Sequence, residues 1–171
     1  MRKLLSLLLI LAIACCLFAC GQGKQNPVEP ANFYYCRKDV TYTGTNDVFA
    51  SEVREIADNE NIVGIMNNYL RGPESNRLYS PFPTSTQIIS IDRVGTTLTV
   101  VFSPQLSRLS GPDLMLACVC TAMTLFNMTQ AETVIITADG TLLDGRESVM
   151  LTPDRLVFTD NQPPETSETP E

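Results

Sequence analysis

The chain has 171 residues with 12 basic and 19 acidic side chains, a net charge of −7. That length suits one hydrophobic core rather than two, and no basic stripe beyond Arg2-Lys3 exists to meet a nucleic acid. Histidine is absent, which removes the usual general base, the usual activator of a Ser or Cys nucleophile and the commonest zinc ligand.

Met1-Arg2-Lys3 and the apolar run of residues 4–19 have the charged and hydrophobic regions of a secretory signal. Leu17-Phe18-Ala19-Cys20 then resembles a bacterial lipobox, although Phe18 is larger than usual there. The resemblance implies cleavage after residue 19 and a diacylglycerol anchor on Cys20. The alternative is an uncleaved anchor, but sixteen apolar-biased residues fall short of the roughly 20 that span a bilayer. Residues 20–32, polar and containing Gly and Pro, read as a tether.

A folded domain is expected over residues 33–159. Phe33-Tyr34-Tyr35-Cys36 is rich in aromatics and predicts a first strand. Residues 48–56 are ambiguous; Phe49, Ser51 and Val53 do not hold helical spacing, which favours a strand. Ile62, Ile65, Met66, Tyr69 and Leu70 share one helical face, with Asp58 or Asn59 as the expected cap and Gly72-Pro73 as the stop. After Ser80-Pro81-Phe82-Pro83 the period becomes 2. Ile89 and Ile91, then Leu98, Val100 and Phe102, predict a hairpin that turns at Arg93-Val94-Gly95.

Ser110-Gly111-Pro112-Asp113 starts a second helix whose body, residues 114–128, is apolar on nearly every face. It is read as the most buried helix of the domain, with a partner interface on one face as the alternative. Residues 133–138 form a strand, Asp139-Gly140 a turn, and residues 150–158 a last strand or arm interrupted at Pro153. Residues 160–171, rich in Pro and acids, read as a disordered tail. The elements give an α+β class: a small single domain in the order β-β-α-β-β-α-β, with two helices on one face of a mixed or antiparallel sheet.

No residue set commits to catalysis, a metal or a cofactor. Cys118 and Cys120 diverge by roughly 200° around their helix. A bond from Cys36 to either is open if the first strand lies under that helix, although small buried thiols explain all three. Glu52 with Glu55, Asp58 with Glu60, Asp139 with Asp144, and Glu147 with Asp154 are carboxylate pairs on paper. Their places near turns and helix starts suit capping and solvation. Asp139 to Asp144-Gly145 lacks the ligand spacing of a calcium loop.

Leu70-x-Gly72-Pro73, Ser80-Pro81-x-Pro83 and a hairpin ending in Phe102-Ser103 occur in order. Leu125-Phe126 near a helix end and Asp139-Gly140 after a strand follow them. This series resembles the GerMN domain of sporulation and germination proteins, with Val101 standing where that family more often has Asp. The resemblance implies a second extended segment over residues 48–56 and a fold like the small ring-building domains of envelope-spanning machines. It also implies a lipoprotein on the extracytoplasmic face of the bacterial membrane that binds an envelope protein or assembles with itself, without catalysis. No catalytic residue is carried over from the family. A cell-wall glycan enzyme using a carboxylate pair and a small-ligand-binding lipoprotein are the competing readings. For a binding module, the expected contact surface is the open face or an edge of the sheet.

Overall fold

The computed structural model describes residues 28–40, 48–57 and 61–156. The expected signal, the lipid site at Cys20 and the acidic tail lie outside them. Strands β1 (Val28–Arg37) and β2 (Phe49–Ala57) pair antiparallel, from Val28 opposite Ala57 to Cys36 opposite Phe49. Residues 48–56 are therefore extended, as the broken helical spacing indicates. β1 begins five residues before Phe33 and takes in part of the stretch read as a tether. The part it takes in, residues 28–32, pairs with β2 through the backbone, which leaves no apolar period to read. From Ala31 onward the pleat asserts itself: Ala31, Phe33 and Tyr35 are buried, while Asn32 and Tyr34 between them are half-buried.

Helix α1 (Ile62–Tyr69) starts two residues later than a cap at Asn59 would place it, and three later than one at Asp58. Asn61 is the cap, its Oδ1 accepting the Gly64 N–H at 2.7 Å. Asp58 and Asn59 lie outside the described residues. Ile65, Met66 and Tyr69 form the buried face, and Gly72, at φ 104°, turns the chain where a side chain would be strained. A two-residue strand, β3 (Leu78–Tyr79), then pairs with β1 at Cys36 and Arg37, giving a first sheet of order β2-β1-β3.

The second sheet has the order β4-β5-β6-β7, from β4 (Ile88–Val94), β5 (Thr97–Phe102), β6 (Thr133–Ala138) and β7 (Val149–Leu151). A 3-10 turn (Pro104–Arg108) and helix α2 (Gly111–Thr129) form the crossover that parallel pairing of β5 with β6 requires. A four-residue helix, α3 (Pro153–Leu156), follows β7. The α+β class and the small domain stand. The strands divide between two sheets rather than one, and α1 and α2 each bridge both. α1 reaches β4 through Asn67 and β1 through the Tyr69 ring, while α2 packs on β1, β6 and β7.

The hairpin's inward residues differ from the strict alternation expected. Ile88 lies opposite Phe102 and Ser90 opposite Val101, so a bulge falls at Ile89. Ile88 and Ile91 therefore face the buried Phe102 and Val100, and Ile89 is exposed. An extra residue resets the period of two, which a pattern count cannot register. The turn itself is Gly95-Thr96, with Gly95 at φ 61° in the position that a two-residue hairpin loop gives to glycine.

α2 is the most buried helix, as expected, with Leu114, Ala117, Cys118, Val119, Cys120, Thr121, Ala122, Thr124 and Leu125 inside. Its length and apolarity alone would suit a membrane span, but this burial within the domain is that of a core helix.

Candidate functional site

The residues of the first family motif converge on an aromatic stack. The Tyr69 ring lies 4.9 Å from Tyr35 and 5.8 Å from Phe33, and meets Phe82 edge-on at 5.5 Å. Phe82 in turn stacks on Phe102 at 6.1 Å, so the stack runs from the first sheet into the second. Leu70, Pro73, Pro81 and Pro83 are half-buried along the connections that hold Tyr69 and Phe82 in place. Thr86 Oγ1 donates to the Pro83 carbonyl at 2.7 Å, and Ser103 Oγ accepts the Gln87 N–H at 3.0 Å. Two tyrosine hydroxyls are satisfied by main chain: Tyr35 donates to the Tyr69 carbonyl and Tyr69 to that of Tyr34. Burial pushes both phenols above their ordinary range, so they act as neutral donors.

Sequence reasoning missed the ionic lid on this stack. The Arg54 guanidinium sits 5.4 Å from the Phe33 ring centre and 5.6 Å from that of Tyr35. It donates to Glu52 Oε1 at 2.8 Å and to the Gly72 carbonyl at 2.8 Å. The Glu52 carboxylate also accepts the N–H groups of Glu74 and Ser75, each at 3.0 Å. Burial works to raise the Glu52 carboxyl, but these donors and Arg54 hold it below the ordinary range. Opposite charges two apart on a strand share a face, and that was the available signal.

α2 completes the free edge of β1. Asn127 Oδ1 accepts the Asn32 N–H at 3.2 Å and Thr124 Oγ1 accepts the Tyr34 N–H at 3.0 Å. One further turn along, the Cys120 and Cys36 sulfurs are 3.8 Å apart. Leu125, one of the motif residues, is fully buried beside this seam. Gly140, at φ 62°, makes the turn after β6, away from the stack.

The other flank of α2 is open. Met115, Val119, Met123 and Phe126 follow helical spacing and line two hollows. One, of about 500 Å³, lies between α2 and the β7–α3 segment, with Val149, Met150 and Leu156 opposite Met115. Arg146 and Arg155 also line it. The other, of about 300 Å³, is bounded by Tyr34, Met123, Phe126, Asn127, Pro153 and Leu156. Met115 is 43% exposed and Met150 55%, and both line the larger hollow. The spacing of these apolar residues was legible, but not which flank of an apolar helix stays uncovered.

Among the described residues the acids paired in sequence do not gather into a site. Glu52 is held by Arg54, and Glu55 is exposed. Asp139 and Glu147 are exposed, Asp144 Oδ2 accepts the Gly111 N–H at 3.3 Å, and a hydrogen bond from Thr152 lowers the Asp154 carboxyl. Among the described residues no group of three His, Cys, Asp or Glu could hold a metal ion. Asp58 and Glu60 lie outside the described residues.

In solved structures the chain is similar to the tandem GerMN domains of the sporulation protein GerM from Bacillus subtilis, at TM-score 0.56 and 17% identity. The likeness covers 76% of this chain and 47% of that one, so the chain spans about half of the tandem protein. A candidate lipoprotein from Clostridium perfringens is similar at TM-score 0.39 and 14% identity, over 74% of this chain and 89% of that one. No curated protein matches the chain. Residues 32–144, about two-thirds of the sequence and the span that holds the aromatic stack and α2, match the family described as Germane, sporulation and spore germination. The chain belongs to the Germane family of sporulation and spore germination domains.

Proposed function

We propose that the chain is a lipid-anchored, extracytoplasmic binding module of spore formation or germination that docks a segment of an envelope protein and performs no catalysis. The observation that carries this reading is the flank of α2 beside two hollows that share Leu156, where Met115 is exposed, Met123 and Phe126 are half-buried and Val119 is buried between them. Methionines suit a surface that must adapt to a partner, because their unbranched chains repack readily. Arg146 and Arg155 beside the larger hollow put positive charge on a chain whose net charge is −7. The fitting occupant is therefore a segment with apolar side chains flanked by carboxylates. Two stretches of strand edge are already covered: the Asn67 amide meets Ile88 on β4, and α2 meets Asn32 and Tyr34 on β1.

The test places a photo-crosslinking residue at Met115 or Met150 and captures partners from membranes of the native host, beside a cell-wall hydrolysis assay. One envelope protein, crosslinked through an acidic segment and lost on Arg146→Glu, supports the reading. Capture of a second copy of this chain would assign the face to self-assembly instead. Glycan cleavage that vanishes on replacing one carboxylate would overturn the reading. The anchor has its own check: mass spectrometry of the mature N-terminus should find diacylglyceryl Cys20, and an intact Met1 refutes it.

A further inference from the structure

β1 and α2 bring two thiols together without any evident demand of the fold. Cys36 Sγ and Cys120 Sγ are 3.8 Å apart, and neither residue has any exposure. A disulfide needs about 2.05 Å, so a relative shift of under about 2 Å joins them. The flanking hydrogen bonds from Tyr34 N–H to Thr124 and from Asn32 N–H to Asn127 keep strand and helix at this separation. Cys118 leaves the helix roughly 200° away. It is buried in apolar surroundings that push its thiol up to about 12. We infer that Cys36 and Cys120, and not Cys118, form a disulfide that ties β1 to α2 when the chain folds in an oxidising compartment. The compartment rests on the extracytoplasmic placement proposed above; the pairing does not.

The oxidant is a disulfide, either glutathione disulfide or that of a thiol oxidoreductase. The thiolate of either cysteine attacks one of its sulfurs, forming a mixed disulfide and expelling a thiolate. The thiolate of the other cysteine then attacks the Sγ of the first and expels the second thiolate. Two electrons pass to the oxidant, and the two thiol protons end on its released thiols. Since both sulfurs are inaccessible once α2 covers β1, the exchange belongs to folding. The bond joins residues 84 apart, and so restricts a long stretch of the unfolded chain.

The test refolds the full chain from denaturant in a glutathione redox couple, blocks remaining thiols and digests with trypsin. Cleavage after Lys24, Arg37, Arg108 and Arg146 puts Cys36 on residues 25–37 and both helix thiols on residues 109–146. These two peptides should be linked, with fragmentation placing the bond at Cys120. Cys118→Ser should keep the link, and reduction should lower the melting temperature of wild type and Cys118→Ser alike. A blocked, free Cys36 after oxidation or a bond to Cys118 overturns the pairing. Wild-type fragmentation decides this alone, so a Cys120→Ser variant that fails to fold costs nothing. A second sample, alkylated directly in host membranes, separates the two premises. Linked peptides after refolding but free thiols in the membrane sample support the pairing and refute the placement.

Discussion

The Tyr34 N–H donates to Thr124 Oγ1 at 3.0 Å, and the Tyr34 carbonyl accepts from the Tyr69 hydroxyl at 2.8 Å. Both backbone groups of a strand residue beyond the reach of β3 are thus met by side chains from two helices. Asn67 does the same for Ile88 on the other sheet, with its carboxamide donating and accepting at 2.9 Å each. Helix side chains here stand in for missing strands, which is why the two sheets stay separate. Left open, either edge would carry unpaired polar groups.

Thr124→Val tests that role with little change of shape. It leaves the Tyr34 N–H without its acceptor and removes the Thr124 hydroxyl that donates to the Cys120 carbonyl. The cost should be about 1–3 kcal/mol, since a partly buried donor loses its partner. Denaturant unfolding that matches wild type within a few tenths of a kcal/mol would mean that water replaces the hydroxyl freely.

Glu52 gives a pH dependence of known sign. Its carboxyl is held below the ordinary range by the Ser75 and Glu74 N–H groups and Arg54, against the opposing effect of burial. A folded value below the unfolded one means the stability is complete above the unfolded value and is lost as pH falls through the folded one. Glu52→Gln should therefore melt lower than wild type at neutral pH, and the gap should close on acidification through the carboxylate range. A gap that stays constant into acid would show that the loss is one of packing rather than charge.

The parts of this fold that follow periodicity were legible. The α1 face of Ile65, Met66 and Tyr69, the strand of Leu98, Val100 and Phe102, and the burial of α2 all come from apolar spacing. What spacing conceals is where polar groups settle. The bulge at Ile89 shifts the period by one residue, and the start of β1 at Val28 rests on backbone pairing that leaves no apolar trace. The division into two sheets depends on Asn67, Thr124 and Asn127, each unremarkable in a helix until its long-range partner is known. The thiol pair was half legible: the helix period separates Cys118 from Cys120, but only the placement of α2 over β1 selects Cys120.

Leu125 tests the core directly. It is fully buried in the apolar cluster shared by both sheets. Leu125→Ala should cost about 2–5 kcal/mol, the sum of lost transfer energy and the cavity left behind. A melting temperature within about a degree of wild type would mean that Leu125 is not buried and that α2 does not sit in the core as described.

The binding face should separate from the core in the same assays. Met115 and Met150 both line the larger hollow and are both substantially exposed. Replacing both with Glu adds negative charge where Arg146 and Arg155 favour carboxylates from a partner. Repulsion of an acidic segment and loss of apolar contact then act together. Stability should change by no more than about 0.5 kcal/mol per substitution, as for exposed positions elsewhere. Capture of the envelope partner should fall at least about tenfold, the equivalent of 1.4 kcal/mol. Arg146→Lys should retain most of it, which a structural role for the guanidinium would not allow. Undiminished capture by a stably folded Met115→Glu/Met150→Glu variant would move the partner site elsewhere and remove the observation on which the binding role rests.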